Sequence, residues 1–162
     1  MKRFFLYTIL FISIFIITGC DFDNTTYKSN GLKITLPKGL KKSDFDGMTL
    51  YMEKDDMYVS GSFISYDDLM KLDITKDSNI ENYIDNIISN NEISTTIKKS
   101  KTNNSNSFYY GTYDDTEYEY YNIISFFKTD KGYWIVTLSC PKNYKYDYKN
   151  RFLDYIKTIE FY

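Results

Sequence analysis

The sequence predicts an α+β domain in which an antiparallel β-sheet of about six to seven strands is covered by two main helices. Segments with apolar residues at every second position recur along the chain and are separated by Asp, Asn and Gly turn residues. Two other stretches repeat their apolar residues at spacings of three and four, the period of a helix with one buried face. The late strand-like segments are apolar on both faces, so the sheet they build needs cover on both sides.

The first strand is expected at Leu32-Lys33-Ile34-Thr35-Leu36, strictly alternating and closed by Pro37 and Gly39. Met48 to Glu53 and Met57 to Ile64 follow as a hairpin across Lys54-Asp55-Asp56, with Met57, Val59 and Phe63 on one face. Ser78-Asn79-Ile80-Glu81 has the form of a capping box, Ser78 as N-cap and Glu81 at N3. The helix it starts carries Ile80, Tyr83, Ile84, Ile87 and Ile88 in one stripe and ends near Asn90-Asn91. Beyond Thr95 to Lys101 and a loop at 103–106, three segments read as an antiparallel meander: Phe108 to Tyr113, Tyr118 to Phe127 and Tyr133 to Cys140. Asp114-Asp115 and Thr129-Asp130-Lys131-Gly132 supply the turns. Tyr148, Phe152, Tyr155, Ile156 and Ile159 then form the stripe of a closing helix.

The N-terminus has the pattern of an exported chain. Met1-Lys2-Arg3 precedes an apolar run from Phe4 to Ile17, and strongly polar sequence follows Cys20 at once. The run falls short of the roughly 20 residues that span a bilayer. Ile17-Thr18-Gly19-Cys20 resembles the lipobox of bacterial lipoproteins, in which the leader is cut before the cysteine and its thiol is acylated. The resemblance implies that residues 1–19 are a signal peptide and that Cys20 carries diacylglycerol and palmitate-type chains. Two or more chains give stable anchoring where one alone is marginal. Residues 20–30 are then expected to be the acylated N-terminus and a polar tether, and 31–162 the single α+β domain. The expected address is the extracytoplasmic face of the cell membrane.

Composition removes whole classes of function. The 162 residues hold no His, which excludes Ser-His-Asp triads, Cys-His dyads, His-containing zinc sites and a histidine pH switch. The formal net charge is −2, and loss of a leader carrying Lys2 and Arg3 makes the remainder more acidic, so nucleic acid is not an expected partner. Ala and Gln are absent while Ile, Asn, Lys and Tyr abound, a bias typical of AT-rich, Gram-positive genomes. No cofactor is expected.

The acidic pairs Asp55-Asp56, Asp67-Asp68 and Asp114-Asp115 read as turn formers. Asp44-Phe45-Asp46-Gly47 has the opening of a calcium loop, but Glu53 stands at loop position 10 where the bidentate acid is needed at 12. Glu117 and Glu119, if on one strand, share a face about 7 Å apart, within the range of paired glycosidase carboxylates. Cys140 falls at the end of a row with Trp134, Val136 and Leu138, as a small buried hydrophobe would. Six tyrosines lie between residues 109 and 121, and Tyr109, Tyr113, Tyr118 and Tyr120 are the candidate binding face. Their rings would offer contact area and hydroxyls to a glycan or peptide. The same pattern arises in a sheet packed with Tyr in place of Leu or Val.

Gly31-Leu32-Lys33-Ile34-Thr35-Leu36-Pro37-Lys38-Gly39-Leu40, the aromatic hairpin Tyr120 to Trp134, the strand Gly132 to Cys140 and the closing Tyr155-Ile156-Lys157-Thr158-Ile159 together resemble the PsbP-like α/β/α sandwich family. That family includes small bacterial lipoproteins of the DcrB type. The resemblance implies a non-catalytic accessory or binding module that docks onto another envelope protein or a glycan, with the membrane held through the N-terminal lipid. It carries over no catalytic residue. A carboxylate-based cell-envelope hydrolase and a structural assembly factor for a membrane complex are the alternatives.

Overall fold

A computed structural model describes residues 23–162; the leader and Cys20 lie outside the described residues. The chain runs β1 (Asn24–Ser29), β2 (Leu32–Pro37), β3 (Lys41–Lys42), β4 (Leu50–Lys54), β5 (Met57–Ser65), α1 (Tyr66–Leu69), α2 (Ile80–Asn90), β6 (Lys98–Lys101), β7 (Ser107–Asp115), β8 (Tyr120–Lys128), β9 (Gly132–Pro141), α3 (Lys145–Lys157) and β10 (Glu160–Phe161), with single 3-10 turns after α1 and before α3. Seven strands form one antiparallel sheet in the order β3-β4-β5-β9-β8-β7-β6, and β1-β2-β10 form a second. The α+β class, the β4–β5 hairpin and the β7–β8–β9 meander are as the sequence predicts.

β8 explains why the sheet is sandwiched. Tyr121 through Phe127 are all buried, because side chains of alternating direction enter two different cores. Tyr121, Ile123 and Phe127 join Val136, Leu138, Phe152 and Ile156 on the α3 side. Ile124 and Phe126 join Tyr83, Ile84 and Tyr133 under α2. Each apolar side chain fully withdrawn from water contributes about 1.5–3 kcal/mol, so the two-sided strand is the anchor of the domain.

The structure departs from the sequence reading at four places. The polar stretch taken as a tether is mostly β1, which pairs with β2 in register from Asn24↔Pro37 to Ser29↔Leu32. Its alternating pattern of exposure shows an edge strand whose polar residues face water, and polar composition alone hid it. The α3 side is covered by the second sheet as well as by the helix, because Leu32, Ile34 and Leu36 are each fully buried and need an apolar surface. The N-cap of α2 is Asn79, whose Oδ1 accepts from Glu81 N–H at 3.1 Å; Ser78 instead accepts from Thr75 N–H at 2.9 Å, closing the preceding turn. β8 starts at Tyr120, since Asp115 Oδ1 accepts from the N–H groups of Glu117 and Tyr118 and folds residues 116–119 into a turn.

Candidate functional site

The most built concavity lies at the end of the sandwich formed by the β8–β9 turn, the β1–β2 turn and the C-terminus. The turn is rigid. Thr129 N–H and its hydroxyl both donate to Gly132 O at 2.9 Å, and Tyr66 hydroxyl donates to Thr129 O at 2.9 Å. A Cβ at Gly132 would stand 2.1 Å from Ile64 O, so only glycine lets β5 and β9 close there. Tyr162 N–H donates to Gly31 O at 3.0 Å, bringing the C-terminus beside the β1–β2 turn.

Two clefts meet here, sharing Thr129, Asp130 and Phe161. The larger, about 630 Å³, is lined by Ile80, Phe127 and Tyr109 with Lys76, Lys99 and Lys128 around them. The smaller, about 210 Å³, opens between the two sheets over Phe63, Trp134 and Tyr162. Phe161 joins them: its ring lies 5.4 Å from Phe127, edge-on, and 6.5 Å from Trp134. Phe63 packs on Trp134 at 5.4 Å. The floor is thus a continuous aromatic row, and the aromatic walls are fixed by one another rather than free to collapse.

The charged rim is partly committed. Lys76 pairs with Asp130 at 3.4 Å and Lys128 Nζ donates to Ser78 O at 2.9 Å. Lys99 Nζ sits 5.1 Å above the ring of Tyr109, whose hydroxyl donates to Glu81 Oε1 at 3.1 Å. An aromatic floor with lysine ammonium groups at its edge suits a partner segment that carries apolar and anionic groups side by side.

The four candidate tyrosines do not form one open surface, although register puts Tyr109, Tyr113 and Tyr120 on the α2 face of the large sheet. Tyr109 lines the larger cleft. Tyr113 is half-buried beneath the segment after α2, and burial pushes its hydroxyl pKa up. Tyr120 packs edge-on against Tyr58 at 5.5 Å, and Tyr118 lies exposed in the β7–β8 turn at the opposite end. Glu117 and Glu119 sit in that turn, outside any strand, so the shared-face spacing that paired them does not exist. Cys140 is fully buried, and burial followed by the charges of Asp56 and Asp147 pushes its thiol up to about 11, far from a reactive thiolate. Among the described residues no group of three or more Cys, Asp or Glu is placed to hold a metal. No helix among them is long and apolar enough to cross a membrane. Phe161 and Lys76 went unread at the sequence level, and Phe63 was read only as one face of a strand; Phe161 alternates with Ile159 after the closing helix, which is the signal that could have found it.

No family model matches the chain, and no curated protein does. Among solved structures, the chain is similar to cyanobacterial PsbP (CyanoP) from Synechocystis sp. PCC 6803, whose solution structure aligns over 90% of this chain and 96% of that one with a TM-score of 0.61 and 13% identity. At that identity the likeness is one of fold. The fold is PsbP-like.

Proposed function

We propose that this chain is a lipid-anchored, non-catalytic binding or accessory module on the outer face of the cell membrane, which engages a partner in the envelope through the joined clefts at the β8–β9 end. The observation that carries the reading is the aromatic row Phe127, Phe161, Trp134 and Phe63, held open between two sheets and edged by Lys99. Phe127 and Trp134 are buried and form the floor, while the half-buried Phe161 and Phe63 are the rings the clefts present to a partner. The hydrolase alternative loses its carboxylate pair with the turn at 116–119. Two measurements test the reading in intact cells. Cys20→Ser is expected to abolish acylation and membrane fractionation, and unchanged fractionation would refute the anchor. A photo-crosslinking residue at Ser107, on the cleft rim, is expected to trap a discrete adduct that the same residue at Lys149, on α3, does not. Equal adducts from both positions would refute the cleft as the binding surface.

A further inference from the structure

The end of the domain opposite the clefts collects exposed aromatic side chains. Tyr118 is 66% exposed in the β7–β8 turn, Tyr146 88% exposed in the first turn of α3, and Tyr144 37% exposed just before it. These sit together because Lys142 N–H donates to Glu119 O at 2.8 Å, tying the start of the α3 segment to the β7–β8 turn. The described chain also begins at this end. Lys38 N–H donates to Asp23 O, and Lys54 Nζ donates to Lys38 O at 2.8 Å, which places residue 23 beside the β4–β5 turn. That turn and the β7–β8 turn project from the same end of the large sheet, since Glu53↔Tyr58, Tyr58↔Ser139, Asn122↔Ser139 and Tyr120↔Pro141 run across it in register.

We infer that this end is a lipid-facing surface, with Tyr118, Tyr144 and Tyr146 seated in the headgroup layer of the bilayer that holds the N-terminal lipid. The inference rests on the lipid-anchor reading of Cys20. Only residues 21 to 23 separate Cys20 from β1, so four Cα steps of about 3.5 Å keep the acylated cysteine within about 14 Å of Asn24. From β4 to β8 the sheet is three strand spacings wide, about 14 Å, so an anchor at the β4 corner brings the tyrosines down to the same plane. Tyr suits that depth, an apolar ring in the acyl boundary with its hydroxyl among the headgroups. The consequence is orientation: the clefts at the far end of the sandwich point away from the membrane, toward whatever they bind.

The test uses the mature, lipid-bearing protein reconstituted into phosphatidylglycerol/phosphatidylethanolamine vesicles whose acyl chains are brominated near the headgroup. The chain's one tryptophan, Trp134, is 2% exposed near the distal end and serves as the internal control. Tyr146→Trp and Tyr118→Trp are each expected to add emission that is blue-shifted on vesicle binding and cut by about half by the brominated lipid, while Tyr162→Trp at the far end is not quenched. Mass spectrometry of the same preparation reads the lipid on Cys20. Lipid-bearing protein whose Tyr146→Trp and Tyr118→Trp emission is no more quenched than that of Tyr162→Trp overturns the orientation and leaves the anchor standing. A blue shift without quenching assigns this end to a second copy of the chain and equally overturns it. Protein without lipid removes the premise and the inference together.

Discussion

Tyr83 offers the sharpest test of the packing under α2. Its ring is 2% exposed and stacks on Tyr133 at 4.6 Å, yet its hydroxyl is buried with no hydrogen-bond partner among the described residues. A buried orphan hydroxyl costs about 1–3 kcal/mol. Tyr83→Phe keeps the ring and removes that cost, so the variant is expected to be more stable by about 1 kcal/mol at neutral pH. For a domain of this size, at about 2.1 cal/mol/K per residue, that raises Tm by about 3 °C. The effect grows with pH. Burial, and then proximity to Tyr133, pushes the Tyr83 hydroxyl up to about 12 from its ordinary 10. A raised folded-state pKa means that the folded protein holds its proton where the unfolded chain has lost it. Stability is therefore whole below pH 10 and falls as pH rises toward 12, by about 1.4 kcal/mol per pH unit for this one group. The phenylalanine variant has no such loss, so its advantage is expected to exceed about 2 kcal/mol at pH 11. Urea denaturation of both proteins at pH 7, 9 and 11 measures it. A variant less stable than wild type at pH 7, or an advantage that does not change with pH, would refute the account of an unpartnered buried hydroxyl.

Three further outcomes follow from particular contacts. Asn79→Ala is expected to cost about 1 kcal/mol by removing the α2 cap, and Ser78→Ala measurably less, a contrast read by thermal melts of the two variants. Gly111→Ala places a Cβ 2.5 Å from Thr95 Oγ1 and 2.8 Å from its Cγ2, for an expected loss of about 1–3 kcal/mol. Adding Thr95→Gly should recover a substantial part of it, and a strictly additive double variant would place the clash elsewhere. Cys140, the free thiol buried at the end of β9, is expected to resist an aromatic disulfide reagent in native buffer at pH 8 and to react fully in denaturant; rapid native labelling would contradict its burial.

How much of this was legible depends on where each signal is stored. β7, β8 and β9 were readable because their alternation, turn residues and two-sided apolarity are local. α2 was readable because five apolar residues repeat at helical spacing, and its cap was misplaced by one residue because Ser78 and Asn79 are both good caps and the Thr75 turn decides between them. β1 and β10 were missed because each exists only through β2. Asn24 finds its partner at Pro37, and Glu160 finds Lys33 across most of the chain; β1 carries no apolar alternation, and that of β10 is only the pair Ile159 and Phe161. Of the four candidate tyrosines, Tyr109, Tyr113 and Tyr120 share one face of the sheet and Tyr118 falls in the β7–β8 turn. Their faces follow from sheet register, but which face is open follows from where α2 and the residues after it lie. The clefts, assembled from three turns and the last residues, leave almost no periodic trace.

The placement of β10 against β2 also sets an order of events. Lys33 Nζ meets Glu160 Oε2 at 2.6 Å, a contact spanning 127 residues of sequence, and Tyr162 bonds back to Gly31. Contacts of that span close late, after the meander and helices have formed from nearer partners. The small sheet therefore cannot be completed until residues 160–161 are in place. Until then Leu32 and Lys33 lack a strand on one flank, and the core face of β2 is held by β1 alone.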